Sequence, residues 1–223
     1  MRYATRFCVV EINSTFRRRH RASTFARWGS EVPPAFRFSV KLPKAITHER
    51  QLVDVDSLLD DFMADATTLG ERLGCLLVQL PPKLGFEDRV AAAFFRGLRQ
   101  RFGGAIALEP RHASWLAPAV DALLADIGVA RVAADPALDP AAARPGGWPG
   151  LAYYRLHGSP RMYYSSYSDG YLEALAATLA GHRAHATAVC CIFDNTAHGA
   201  AMTNALALLA ALGRGAEPTE DRR

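Results

Sequence analysis

Short apolar runs alternate with longer stretches of helical periodicity along the chain. The runs are rich in β-branched, aromatic and small apolar residues and predict strands at 7–13, 36–42, 75–81, 105–111, 130–135, 151–158 and 188–195. Their nearly continuous apolar character is typical of strands that are covered on both faces. Helices are predicted at 54–74, 87–103, 116–128 and 169–183. This alternation favours a parallel α/β sheet or barrel.

Helix ends and connections complete the prediction. Asp56 and Gly74 are expected to begin and stop the first of these helices, and Asp169 and Gly181 to bracket the last. The stretch 135–150 is rich in Pro, Gly and Ala, which predicts a loop or a degenerate connection. A final helix is expected to end near Leu212, so we predict a single domain over 1–212 and a disordered tail over 213–223.

Composition narrows the function classes only slightly. The chain has 223 residues, 50% hydrophobic content and a net charge of +4, which indicates a mild preference for anionic partners and argues against a dedicated nucleic-acid coat. The cysteines lie in apolar runs without metal-site or redox-motif spacing, so we expect four reduced core residues: Cys8, Cys75, Cys190 and Cys191. No signal sequence or membrane-length apolar stretch is evident, so a soluble, cytoplasmic protein with no membrane association is expected.

Polar residues stand where the predicted strands end. They are Glu11 and Asn13, Lys41, Gln79, Glu109 and Arg111, and Arg155 and His157. Side chains alternate between the faces of a strand, so each polar pair two residues apart shares one face. Because ligands of parallel α/β folds bind at the carboxyl ends of the strands, we expect these groups to converge on one polar, cationic pocket. The alternative is a buried ion network that closes the end of a barrel.

Several collinear motifs resemble a known family. They are EINSTF (11–16), Trp28, FRFSVKLPKAITH (36–48), LLVQLPPKL (76–84), LEPRHASW (108–115), YYRLHG (153–158) and FDNTAHGAAMTNAL (193–206). Together they resemble domain-of-unknown-function family 72 (DUF72), also called YecE-like, over almost the whole chain. The resemblance implies a TIM-like (β/α) barrel with one pocket and no established reaction. The positions that match the family pattern are Glu11, Asn13, Lys41, Thr47, His48, Gln79, Glu109, Arg111, His112, Trp115, Arg155, His157, Gly158 and Asn195.

The chain also departs from the family pattern. A first strand with a Gly-Thr-Ser-Gly-Trp-like stretch is expected before residue 1, so the resemblance implies a barrel that lacks this strand and exposes an edge between the strands at 7–13 and 188–195. Arg17, His20 and Pro110 replace a Tyr, a Pro and an aromatic residue, and Asp194 replaces an Asn.

The favoured functional hypothesis is an enzyme or a binder of an anionic, phosphate-bearing ligand, either a nucleotide or nucleic acid. Arg111 and Arg155 would contact phosphate oxygens with support from Lys41, and His157 or His112 would act as acid or base. Asn13, His48, Gln79, Trp115 and Asn195 complete the predicted ligand-binding set. The basic run RRRHR (17–21) and the aromatic residues Trp115, Tyr163, Tyr164 and Tyr167 could extend such a surface toward a nucleic-acid strand, although such runs are more often solvated loops and such tyrosines more often packing residues.

Other hypotheses remain open. Glu11 and Glu109 could be the paired carboxylates of a glycosidase-like hydrolase, but nearby cations would keep both ionised. A metal site drawn from Glu11, Glu109, His157 and Asp194 lacks ligand spacing and is opposed by the same cations. A non-enzymatic anion-binding protein is the third alternative. No cofactor is predicted, since the chain has no glycine-rich dinucleotide loop, and its protein partners are not indicated.

Overall fold

The computed structural model describes residues 3–184 and 188–214. Contacts divide the chain into two compact units: Met1–Val132 with Gly146–Pro149, and Ala133–Pro145 with Gly150–Arg223. The strands are β1 (Val9–Ile12), β2 (Arg37–Lys41), β3 (Leu73–Gln79), β4 (Ala105–Glu109), β5 (Val129–Arg131), β6 (Ala133–Asp135), β7 (Gly146–Gly147), β8 (Leu151–Leu156) and β9 (Ala188–Phe193). The α-helices are α1 (Ala22–Ser30), α2 (Asp56–Ala66), α3 (Asp88–Arg101), α4 (Pro118–Ile127), α5 (Asp169–Ala184) and α6 (Ala200–Arg214).

The first unit is a six-stranded sheet with helices α1 to α4. Strands β1 to β5 are parallel and follow chain order, and the two-residue strand β7 pairs antiparallel with β5. The glycine at the start of β7 is required by space, since a Cβ at Gly146 would collide with the Arg131 guanidinium, which is held by Asp121 of α4 at 2.7 Å. Within the described part of this unit the sheet is open, with β1 and β7 at its edges.

The register of this sheet separates two kinds of side chain. Val40, Leu76, Ile106 and Val129 follow one another across β2 to β5 and belong to the main apolar core. On the opposite face, small or polar residues dominate, and the successive partners Ser39, Cys75 and Ala105 form one row across three strands. Helices cover the first face, whereas the polar side chains at the strand ends lie on the second face. The sequence reasoning that neighbouring residues of a strand face opposite sides therefore holds here.

The structure differs from the predictions for helices α1 and α2 of the first unit. The helix predicted over 54–74 ends at Ala66 and continues as a 3-10 helix over Thr67–Arg72, where Gly70 adopts a left-handed φ of 58°. Val55, not Asp56, precedes α2, and Gly74 lies inside β3. Helix α1 is absent from the prediction, because it is only nine residues long and directly follows a basic run that indicates a loop.

The second unit contains a three-stranded parallel sheet in the order β6, β8, β9, with helices α5 and α6. Ala152, Tyr154 and Leu156 of β8 pack with residues of both helices in a second apolar core. The single strand predicted at 130–135 is two strands, because β5 pairs with β4 while β6 pairs with β8. Gly181 lies inside α5 and does not end it.

The structure therefore has nine described strands, not seven, and one of them is antiparallel. Gly213 and Arg214 belong to α6, so they are helical and not part of a disordered tail, and residues 215–223 lie outside the described residues. The single domain predicted over 1–212 stays a prediction. Across the described ranges, none of the α-helices combines the length and hydropathy that a membrane-spanning helix requires.

Candidate functional site

Polar side chains lie at the strand ends of the first unit, on the face of the sheet opposite the helices. Glu11 of β1 is the register partner of Ser39 in β2, which in turn pairs with Cys75 in β3. Burial raises the pKa of Cys75 to about 12, and the nearby charge of Glu11 acts in the same direction. This thiol is therefore protonated at neutral pH and is not a nucleophile.

The end of β2 presents a buried cation. Lys41 is only 8% exposed, and its Nζ lies 4.3 Å from the centre of the Phe16 ring, in a cation–π contact. The loop after β1 is held against it, since the Thr15 hydroxyl donates to the carbonyl oxygen of Lys41 at 2.6 Å. The His48 ring meets the same phenyl ring edge-on at 4.8 Å. Burial lowers the pKa of His48, and Lys41 and Lys44 lower it further, so this imidazole stays neutral in a positive environment.

The ends of β3 and β4 form a second part of the site. The Glu109 side chain is fully buried, and its Oε1 lies 2.5 Å from Nη2 of Arg111. Gln79, its register partner on β3, donates from Nε2 to the other carboxylate oxygen at 3.1 Å. Both oxygens of Glu109 are thus engaged, which stabilises the ionised form and orients the Arg111 guanidinium.

Other predicted site residues of this unit have evident structural contacts. Trp115 is 1% exposed, donates from Nε1 to the Leu84 carbonyl oxygen at 2.9 Å and packs against Phe86, so it is a core residue here. The His112 side chain accepts from Ser114 N and caps the short helix that begins at Ala113. Asn13 is half-buried and precedes the 3-10 helix Ser14–Phe16. The stacking and ligand-contact roles of Trp115 stay predictions, because the core encloses the ring in this arrangement.

In the second unit, a buried cluster stands at the ends of β8 and β9. Arg155 and His157 share the face opposite the apolar core and are both 0% exposed. Asp194, directly after β9, places Oδ2 3.0 Å from Arg155 Nη2 and 3.2 Å from His157 Nδ1. The other ring nitrogen of His157 lies 3.4 Å from Arg155 Nη1. A neutral imidazole that donates from Nδ1 to Asp194 fits these contacts best, since a second cation beside Arg155 would be repelled.

Two further residues of the second unit hold the loops after β6 and β8. The hydroxyl of Tyr167 donates to Asp135 Oδ1 at 2.8 Å and accepts from the Gly158 amide at 2.9 Å. Asn195 donates to the carbonyl oxygen of Ser165 and to Oδ1 of Asn204, both at 2.9 Å. Asn195 thus has evident structural contacts, and its ligand role stays a prediction. Sequence reasoning missed Asp135, although an Asp at the end of an apolar run was the available signal, and it named Tyr167 only as a possible stacking residue.

The aromatic and basic residues that suggested a nucleic-acid surface divide into different environments. Tyr163 and Tyr164 are exposed, whereas Tyr167 is buried. Arg19 is held by Asp65 at 2.5 Å, and His20 is buried beside the aromatic rings of α1. The cysteines are free thiols, but Cys8 is exposed and Cys190 and Cys191 are half-buried, so only Cys75 is a fully buried core residue as predicted. Among the described residues, no three His, Cys, Asp or Glu side chains are grouped so that they could hold a metal ion.

Comparison with known proteins decides the family. The model of the family described as "Protein of unknown function DUF72" matches residues 1–223. The chain belongs to the DUF72 family. DUF72 relatives with curated sequences include the UPF0759 protein YecE of Escherichia coli K12, which is 32% identical over 83 residues, or 37% of this chain and 30% of YecE. The UPF0759 protein YunF of Bacillus subtilis 168 is 29% identical over 123 residues, or 52% of this chain and 43% of YunF. Each match thus spans less than half of the relative's length.

Solved DUF72 structures share the fold. A DUF72 family protein of Enterococcus faecalis V583 superposes with a TM-score of 0.80 at 23% identity, covering 95% of this chain and 86% of that protein. A DUF72 family protein of Thermotoga maritima MSB8 gives a TM-score of 0.77 at 26% identity, covering 93% of this chain and 85% of that one. The mixed α/β architecture with parallel strands and helices is therefore that of the family. The family name states no activity, so function has to be argued from the site.

Proposed function

We propose that the strand-end site of the first unit binds an anionic, phosphate-bearing small molecule such as a nucleotide. The observation that carries this proposal is the Lys41 ammonium group, which is nearly buried at the carboxyl edge of a parallel sheet, above Phe16 and beside the neutral ring of His48. Ligands of parallel α/β folds bind at this edge of the sheet, and a cation placed there attracts an anionic group.

Arg111 is the second contact in the proposed site. Its pairing with Glu109 fixes the direction of the guanidinium. A guanidinium held in this way can present its forked N–H donors to phosphate oxygens. Gln79 supports the same carboxylate and thereby the same orientation. Glu109 acts here as a positioning residue for Arg111.

The glycosidase alternative is less well supported. A retaining or inverting hydrolase needs one carboxylic acid that donates a proton to the leaving group. Glu109 accepts from Gln79 and is paired with Arg111, contacts that stabilise the ionised carboxylate and not the acid.

Other finer expectations stay predictions. They are the incomplete TIM-like barrel, the cytoplasmic location, the exposed sheet edge, nucleic-acid binding, and the roles of Arg155 and His157 in catalysis and anion contact.

Titration of a fluorescent nucleoside diphosphate by anisotropy tests the proposal. Charge-assisted contacts contribute about 1.5–3 kcal/mol, so Lys41→Gln should weaken binding by roughly ten- to hundredfold. Lys83→Gln, which removes an exposed lysine of the same unit, is the matched control and should bind as the parent does. Equal affinity of Lys41→Gln and the parent would refute the proposal. Loss of binding in EDTA would replace it with a metal-dependent site.

A further inference from the structure

A separate cavity of about 510 Å³ lies in the first unit beside the loops that follow β1 and β2. Its apolar lining comes from Phe25 of α1, Ile46 after β2, and Leu58 and Phe62 of α2. This volume lies within the range of about 300–1,000 Å³ that is typical of small-molecule sites. The cavity shares Phe16 with the strand-end site but contains neither Lys41 nor Arg111.

Charged residues of the basic run line the same cavity, and they are not equivalent. Arg19 is held by Asp65 at 2.5 Å and lies 3.7 Å from Asp61. Lys44 is paired with Glu49 at 3.2 Å. Those two cations are therefore compensated by carboxylates within the lining.

Arg17 and Arg18 carry the remaining positive charge. Within residues 3–184 and 188–214, neither guanidinium has an ion pair with a carboxylate, and both side chains line the cavity. The charge of Arg18 reaches the interior, since it lowers the pKa of the buried His20 in addition to the larger effect of burial. The cavity thus combines an apolar lining with two cations that have no acidic partner there.

We propose that this cavity is a binding site for an amphipathic anion, with an acyl or aryl body against the apolar lining and one terminal carboxylate or phosphate between Arg17 and Arg18. An apolar body removes the phenyl and aliphatic surfaces of the lining from water. A terminal anion accepts charge-assisted hydrogen bonds from the two guanidinium groups. Free nucleotides are a poorer fit, because their polar sugar would face the apolar lining.

Displacement of 1-anilinonaphthalene-8-sulfonate, itself an amphipathic aryl anion, provides the assay. Decanoate and decyl phosphate should displace the dye from the parent, and the tighter of the two identifies the preferred head group. Decanol, which lacks the charge, should displace it at least tenfold more weakly. In Arg17→Gln/Arg18→Gln, binding of decanoate should weaken by at least tenfold while that of decanol stays unchanged.

Three further variants make the test specific. Arg21→Gln/Arg27→Gln removes two exposed arginines that do not line the cavity and should leave decanoate binding unchanged. Leu58→Trp fills part of the cavity and should weaken decanoate and decanol alike. Lys41→Gln should not affect decanoate binding, so failure of the strand-end proposal and failure of this one are distinguishable. Circular dichroism confirms that each variant is folded.

The proposal is overturned if Arg17→Gln/Arg18→Gln binds decanoate as tightly as the control pair does. It is also overturned if decanol competes as well as decanoate, or if the dye and both anions fail to bind at millimolar concentration.

Discussion

Removing Arg111 should destabilise the first unit through the carboxylate that it leaves behind. Glu109 has no exposed side-chain surface, and its Oε1 lies 2.5 Å from Arg111 Nη2. Breaking a buried ion pair by deleting one partner typically costs about 3–5 kcal/mol, because the other charge stays buried with less compensation. The Arg111 side chain retains 19% exposure and Gln79 still donates to Glu109, so we expect the lower end, about 3 kcal/mol, for Arg111→Met.

A double-mutant cycle isolates the charge effect. Glu109→Gln keeps the shape of the side chain but removes its charge, so it should offset part of the damage when combined with Arg111→Met. The free energy of unfolding of the double variant should be about 1–3 kcal/mol higher than the value expected if the two single effects simply added. Urea unfolding followed by far-UV circular dichroism near neutral pH measures each free energy of unfolding. Arg96→Met, which removes an exposed arginine of α3, should lie within about 0.5 kcal/mol of the parent.

Two results would refute this reasoning. One is an Arg111→Met variant that is as stable as Arg96→Met, which would mean that water or other groups compensate Glu109 fully. The other is additivity of the two substitutions within about 0.5 kcal/mol, which would mean that the two charges do not interact.

Three other predictions concern separate parts of the chain. Burial lowers the pKa of His20, and the charge of Arg18 lowers it further. Arg18→Gln should therefore raise the pKa of His20 but leave it below about 6.5, because burial still acts. An unchanged pKa in an NMR titration would contradict this. In the parent, the unfolded chain takes up this proton first as pH falls below about 6.5, so the His20 contribution to stability should decline from there, and His20→Gln should flatten that part of the pH profile. The carboxylate of Glu87 accepts from two backbone amides at the start of α3, so Glu87→Ala should cost about 1 kcal/mol in urea unfolding; no change would argue against the cap. Gly158 has a φ of 93°, and an added Cβ would lie 2.9 Å from the Ser165 carbonyl oxygen, so Gly158→Ala should lower the free energy of unfolding by about 1–3 kcal/mol. Gly170→Ala is the control, because a Cβ there would meet open space and should not destabilise the protein. Equal melting temperatures of the two variants would refute the prediction.

Much of the fold was predictable because the local sequence pattern of apolar side chains indicates where strands form. The runs that contain β2, β3, β4, β8 and β9 were located within a few residues, and the faces of Glu109 and Arg155 follow from alternation alone. The division of 130–135 into β5 and β6 was not predictable, because hydrogen-bond partners change between Arg131 and Ala133 while the apolar pattern continues. The 3-10 helix that follows α2 is interrupted at Gly70, whose left-handed φ is not specified by composition.

The candidate site shows the same limit. Alternation along each strand predicts that Lys41, Gln79 and Glu109 share one face of the sheet, but only the structure shows that Gln79 pairs with Glu109 and Lys41 with Leu77. The motif around Trp115 suggested a ligand contact, but a short 3-10 helix turns the ring into the core. Which polar group is paired, and with what, is a property of three-dimensional distances, and only the structure shows that Asp194 joins Arg155 to His157.

The face of small side chains in the first sheet limits which substitutions this part of the chain can accept. Ser39, Cys75 and Ala105 carry little volume, and they lie across the sheet from the apolar layer that holds the helices in place. Ser39 and Cys75 are buried, so a larger residue at either position would press on the groups packed above the strands and not on the helical layer. Redesign of the strand-end site should therefore keep the volume of Ser39 and Cys75 and change the polar side chains nearer the strand ends.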